Sequence, residues 1–184
     1  MRIIFLNGPP GSGKDFAAKA LPGINMKLSA TLKCMTHAAA GLTDFQGAPL
    51  GHDYFEDSKD RDSQLFGGRS PRKAYIDMSE NVIKPYFGDD FLGHQLVDEM
   101  CQIGNAETTF LISDSGFQAE TEPIVKFFGP EVCTLVRIHR EGYDFKGDSR
   151  GYINLDSLGV RTVDIHNYGD ATFLPLLRYA ISKH

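Results

Sequence analysis

Residues Gly8–Asp15 read GPPGSGKD, and the apolar run Arg2–Leu6, RIIFL, stands just before them. A short, continuous apolar run suits a strand at the centre of a sheet buried on both faces. The spacing Gly8-x-x-x-x-Gly13-Lys14, behind a strand and ahead of a helix, is that of a phosphate-binding loop. Its glycines let backbone N–H groups turn toward a phosphate chain with no Cβ in the way. The helix start adds partial positive charge, and Lys14 reaches the outer phosphates. The next residue is ordinarily Ser or Thr, whose hydroxyl helps to hold Mg²⁺; here it is Asp15. A carboxylate can bind Mg²⁺ or one of its waters, and negative charge is tolerated on a first helical turn. Asp15 therefore either serves the metal or only caps the helix. Gly8, Pro9, Pro10, Gly11, Ser12, Gly13, Lys14 and Asp15 form the expected donor-phosphate site.

A second piece supports the first. FLISDSGF, Phe110–Phe117, is an apolar strand that ends in Asp114. A carboxylate at that place faces Mg²⁺ across the phosphates in enzymes with such a loop. Elsewhere apolar runs alternate with helix-like stretches, as expected of βαβ units in an α/β fold with a parallel sheet. INMKLSA (Ile24–Ala30) reads as a second strand and Thr31–Leu42 as a helix. Thr43–Arg69 is polar, rich in glycine and long for a structureless connection. Ser70-Pro71 is a good helix start, and that helix is expected to run to Ile83, with Pro85 and Gly88 breaking it. Further helices are expected from Asp89 or Asp90 to Met100, from Glu120 to Phe128 and from Ala171 to Ser182. EVCTLVRIH and RTVDIH read as the fourth and fifth strands.

The chain has 184 residues, 41% hydrophobic and 23% charged, which suits a single ordinary globular domain. No apolar run is long enough to span a bilayer and no leader pattern is visible, so no membrane association is expected. Three separated cysteines suggest neither a disulfide framework nor a zinc site, and favour a reducing cytoplasm. A net charge of −5 gives no global attraction to nucleic acid, although GGRSPRK could form a local basic patch. His37, His52, His94, His139 and His166 are scattered and lack metal-ligand spacing.

The loop with Asp after Lys resembles that of phage-type deoxynucleoside monophosphate kinases, and also that of phosphomevalonate kinases. Further pieces resemble the phage-type enzymes in the same order: MKLSATLK, YFEDSKD, RSPRKA, ISDSGFQAE, RIHREG, DSRGYI and IHNYGD. The resemblance implies a P-loop kinase fold, a five-stranded parallel sheet with helices on both faces. It implies ATP and Mg²⁺ as cofactors, an acceptor insert over about residues 43–100 and a lid over about 139–153. Gly11 to Lys14 would cradle the donor phosphates, and Asp15 and Asp114 would manage Mg²⁺. Arg72, with Lys33, Lys59, Arg69 and Glu80, would serve the acceptor. Arg137, Arg140 and Arg150 would be lid residues that neutralise the transferred group, Arg140 acting in catalysis beside Lys14 and Asp114. If phage-encoded, the chain would work in the host cytoplasm.

One stretch departs from the resemblance. The phage enzymes often continue the S/T-P-R helix with L-Q-x-x-G-T-E, where this chain reads AYIDMSENVIKPYFG. A deoxynucleoside monophosphate is the first expectation for the acceptor. Transfer to the hydroxymethyl group of 5-hydroxymethyluracil within DNA, a reaction of related phage kinases, is the alternative. There Asp114 would be the natural proton acceptor, with Glu80 or Asp77 more distant. A non-catalytic nucleotide-binding protein is the rival outside the enzymes. A guanine-nucleotide switch is disfavoured because NYGD (Asn167–Asp170) lacks the middle residues of N-K-x-D.

Overall fold

The protein is described from a computed structural model that covers residues 1–182. Five strands, β1 (Arg2–Asn7), β2 (Ile24–Met26), β3 (Thr109–Ile112), β4 (Cys133–His139) and β5 (Arg161–His166), form one parallel sheet in the order β2-β3-β1-β4-β5. The central strand alternates between two cores, as a pleated strand must. Ile3 and Phe5 pack with Leu96, Val97, Met100 and Ile124 on one face, while Ile4 and Leu6 pack with Ala17, Ala18, Phe173 and Leu177 on the other. Both faces are therefore covered by helices, which explains why RIIFL is apolar without a break. Burying each such side chain contributes about 1.5–3 kcal/mol. No helix among the described residues is long and apolar enough to cross a membrane.

The helices are α1 (Lys14–Ala20), α2 (Ser29–Ala39), α3 (Pro71–Met78), α4 (Lys84–Phe87), α5 (Phe91–Ile103), α6 (Gln118–Phe128) and α7 (Phe173–Ser182). Several boundaries differ from expectation, three of them instructively. The second strand stops at Met26 instead of reaching Ala30, because the Asp114 carboxylate draws the chain into α2: it accepts from the Leu28 N–H at 2.8 Å and the Ser29 N–H at 2.9 Å. The helix expected to stop at Ile83 continues through Pro85. Between α3 and α4 the chain winds as a wider π turn, Ser79–Ile83, and helical backbone persists to Gly88 at φ 98°. A proline removes one N–H and crowds the preceding turn, and a π segment is a common way to absorb that. α6 begins two residues before Glu120.

Strand order places β1 where the chain reverses direction across the sheet, with β3 on one side and β4 on the other. In open parallel sheets the crevice beyond the carboxyl ends at such a switch point is the natural ligand site. The Gly8–Lys14 loop and Asp114 both stand there.

Candidate active site

The loop owes its shape to glycine backbone. Gly11 lies at φ 78° and Gly13 at φ 105°, a region that L side chains rarely adopt. A Cβ on Gly13 would meet Asn167 Nδ2 at 2.5 Å, and one on Gly11 would run into the Tyr143 ring. Three residues that the sequence marks for phosphate contact stand behind the loop. Gly8 and Pro9 offer their carbonyls to Lys14 Nζ at 2.6 and 2.7 Å. The Ser12 side chain is fully buried, with no hydrogen-bond partner for its Oγ among the described residues. Pro10, Gly11, Gly13, Lys14 and Asp15 open onto a cleft of about 580 Å³. Burial pushes the Lys14 ammonium down to about 8, and the nearby Arg150 charge adds to this.

Two buried asparagines, to which sequence reading gave no role, tie the surroundings together: Asn7 just ahead of the loop and Asn167 on the loop itself. Asn7, buried at the end of β1, donates to Ser115 O at 2.6 Å and Gly151 O at 3.0 Å and accepts from Ile153 N–H at 3.2 Å. Asn167 donates to Ser12 O at 2.8 Å and accepts from Gly169 N–H at 2.9 Å. The available signal was position: Asn7 directly precedes the first loop glycine, and Asn167 opens the N-x-G element.

The side of the cleft where the sequence places Mg²⁺ gathers Asp15, Ser113 and Asp114. Ser113 Oγ donates to Asp15 Oδ1 at 3.3 Å, and Lys27 pairs with the same oxygen at 3.2 Å. Burial opposes the Lys27 charge, but Asp15 outweighs it and leaves that pKa raised. Each Asp114 oxygen accepts one backbone N–H, so Asp114 builds the start of α2 as well as facing the cleft. Among the described residues no cluster of three or more His, Cys, Asp or Glu could hold a metal alone.

The segment expected as a lid crosses the loop. Arg140 donates to Gly11 O at 2.8 Å and lies over the Tyr143 ring at 4.6 Å, outside the cleft lining. Arg150 lines the cleft; its stem fills the space a Cβ on Gly116 would take, and it pairs with Asp148 through two hydrogen bonds. Arg137 is a correction: it sits on β4 and forks onto Asp164 of β5 at 3.0 and 2.6 Å, away from the cleft.

The facing wall is one stripe of helix, Arg72, Tyr75, Ile76, Ser79 and Glu80. Its charges are already matched. Arg72 forks onto Asp60, Lys33 bonds Glu56 at 3.2 Å, Lys59 bonds Glu56 and Lys84 bonds Glu80. Burial resists ionisation of Glu56, but Lys59 and Lys33 hold its carboxyl down at about 2. Arg69 is a second correction: it pairs with exposed Asp77 at 3.3 Å and does not line the cleft. Phe16 and Ile76 line it while 59% and 54% exposed, enough bare apolar surface to receive a heterocyclic base. Behind the wall, buried His37 accepts at Nε2 from Tyr75 O–H at 2.8 Å; its Nδ1 must then carry the proton that meets Leu50 O at 2.7 Å.

A second groove of about 620 Å³ runs between α5 and α6, lined by residues such as Asp90, His94 and Glu122. It holds no part of the loop. No family model matches the chain, and no curated protein does.

Proposed function

We propose that the chain is an ATP-dependent phosphotransferase with a P-loop kinase fold, acting on a deoxynucleotide unit, with a deoxynucleoside monophosphate as the first acceptor to test. One observation carries the reading: a loop with two glycines at positive φ, backed by Lys14, stands at the switch point of the parallel sheet and shares one cleft with Arg150 and a wall suited to a base.

The loop backbone and Lys14 would hold the β- and γ-phosphates, and Arg150 would draw charge from the transferred group. Lys14 would exchange the carbonyls of Gly8 and Pro9 for phosphate oxygens. Asp15, with Ser113 beside it and Asp114 opposite, supplies the hard oxygen donors that suit Mg²⁺. When bound, the ion would neutralise charge on the phosphates. Arg140 would steady the loop from outside, which is a positioning role.

A second acceptor reading, the hydroxymethyl group of 5-hydroxymethyluracil within DNA, is favoured by the matched charges of the facing wall. Arg72, Lys33, Lys59 and Lys84 each already hold a carboxylate, so an acceptor phosphate would have to break those pairs.

The test is transfer from γ-labelled ATP with Mg²⁺ to deoxynucleoside monophosphates and, in parallel, to DNA with and without 5-hydroxymethyluracil. Label on either set supports the reading. Lys14→Ala should lower the rate by about 10²–10³, the usual cost of a lost charge stabiliser. ATP binding without label on any acceptor would instead favour a non-catalytic nucleotide-binding protein.

A further inference from the structure

Glu120 stands on the first turn of α6 and is only 6% exposed, yet it lines the cleft that holds Lys14. Its carboxyl makes no hydrogen bond or ion pair among the described residues. The neighbours that act on it come from four directions: Asp114 at the end of β3, Glu80 on the π turn, Lys84 on α4 and Arg150 on the segment over the loop. From α5 the close approach is apolar: Gly93 lets that helix pack against the Glu120 carbonyl, where any Cβ would collide. The surrounding charged side chains are engaged. Lys84 holds Glu80, Arg150 holds Asp148, and Asp114 takes two backbone N–H groups. Glu120 is the unengaged one. Glu120 lines the same cleft as Lys14, Asp114 and Arg150, the groups expected around the donor phosphates.

We propose that the acceptor group is a hydroxyl and that Glu120 is the catalytic residue that takes its proton. The assignment rests on the phosphotransferase reading and narrows it. In the step, the acceptor oxygen forms a bond to the γ-phosphorus while the bond to the β,γ-bridging oxygen breaks. ADP leaves with that electron pair. The hydroxyl proton passes to a Glu120 oxygen and then to water in the cleft. A phosphate acceptor, already ionised, needs no such group. Burial, with the Asp114 charge adding to it, pushes the Glu120 carboxyl up to about 8; only its ionised form can take the proton, so transfer should rise as pH approaches that value. Asp77, paired with Arg69 away from the cleft, and Asp114, committed to α2, are less suited to the task.

The experiment compares wild type, Glu120→Gln and Glu120→Ala. Each is given γ-labelled ATP, Mg²⁺ and either DNA containing 5-hydroxymethyluracil or free monophosphates; ATP affinity and thermal stability are read alongside. The wild type should label the modified DNA. Glu120→Gln, which keeps the shape of the protonated acid, should lower kcat by about 10²–10⁴, the range for lost general-base catalysis, with ATP affinity unchanged. Added formate should restore part of the activity of Glu120→Ala, since a diffusible carboxylate replaces a proton acceptor but not a packing contact. Wild-type transfer by Glu120→Gln, or label on monophosphates alone, overturns the assignment and leaves the phosphotransferase standing. Label on nothing, with ATP bound, overturns both.

Discussion

In the loop from Gly8 to Lys14 the groups that meet the cleft are mainly backbone, shaped by Gly11 and Gly13 at positive φ and tied down by Asn167. Across the cleft the groups are side chains, and the cations are held by carboxylates, some local, as Lys59 by Glu56 and Lys84 by Glu80, and some from farther along the chain, as Lys33 by Glu56 and Arg72 by Asp60. The two walls answer different demands. A phosphate chain is the same in every donor, so a rigid backbone cradle serves it, and any added Cβ is an obstruction. An acceptor must be selected, and selection resides in pairs that can be exchanged without rebuilding the fold.

Substitutions can break this contrast. The largest expected effect on stability is in the side-chain wall. His37→Leu leaves the Tyr75 hydroxyl and the Leu50 carbonyl without their buried partner, at about 1–3 kcal/mol for each group. Urea denaturation should show a loss of about 2–6 kcal/mol, with ATP affinity retained; a loss of ATP affinity as large as that of a loop variant would mean the walls are one unit. Asp114→Ala comes next. It removes the acceptor for two N–H groups at the start of α2 and should cost about 1–2 kcal/mol, like the loss of a helix cap, in addition to its effect on transfer. Full stability in that variant would contradict the capping geometry.

A pH effect follows from Glu120. The Glu120 carboxyl is raised to about 8 in the fold from a usual value of 4.5. Between those values the native state holds more protons than the unfolded one, so this group's stabilising contribution is present below 4.5 and is lost as pH rises through about 8. Glu120→Gln should flatten that part of the stability profile; an unchanged slope would show that Glu120 ionises normally. Arg137→Ala should matter least. Its fork onto Asp164 is partly exposed and outside the cleft, so a change within about 0.5 kcal/mol and unaltered transfer are expected. A strong loss of transfer would return Arg137 to the lid.

The same contrast explains what could be read from the sequence. The loop occupies consecutive residues behind RIIFL, and its glycines are needed one by one, so GPPGSGKD states its geometry outright. The parallel sheet follows from apolar runs separated by helices, whereas its strand order is seen only in the fold. The opposite wall joins residues such as Arg72 and Asp60 or His37 and Tyr75, which no spacing rule links. Arg137 looked like a lid residue because it shares RIHREG with Arg140, yet strand pleating turns it toward Asp164. Pro85 read as a stop because a π turn leaves no mark in composition. Glu120 closes ISDSGFQAE, and the sequence assigns it no role of its own; only the close packing of α5 and α6 buries it at the cleft.

The most direct test of the central claim, that this backbone loop is the nucleotide-phosphate site, is calorimetric titration of Mg²⁺–ATP into wild type and Gly13→Ala. The variant forces a side chain into φ 105° and against Asn167, without touching the opposite wall. Strain of about 1–3 kcal/mol predicts a fall in affinity of about tenfold to a hundredfold at unchanged secondary structure. Equal affinity in the two proteins, or no binding by wild type, would contradict it.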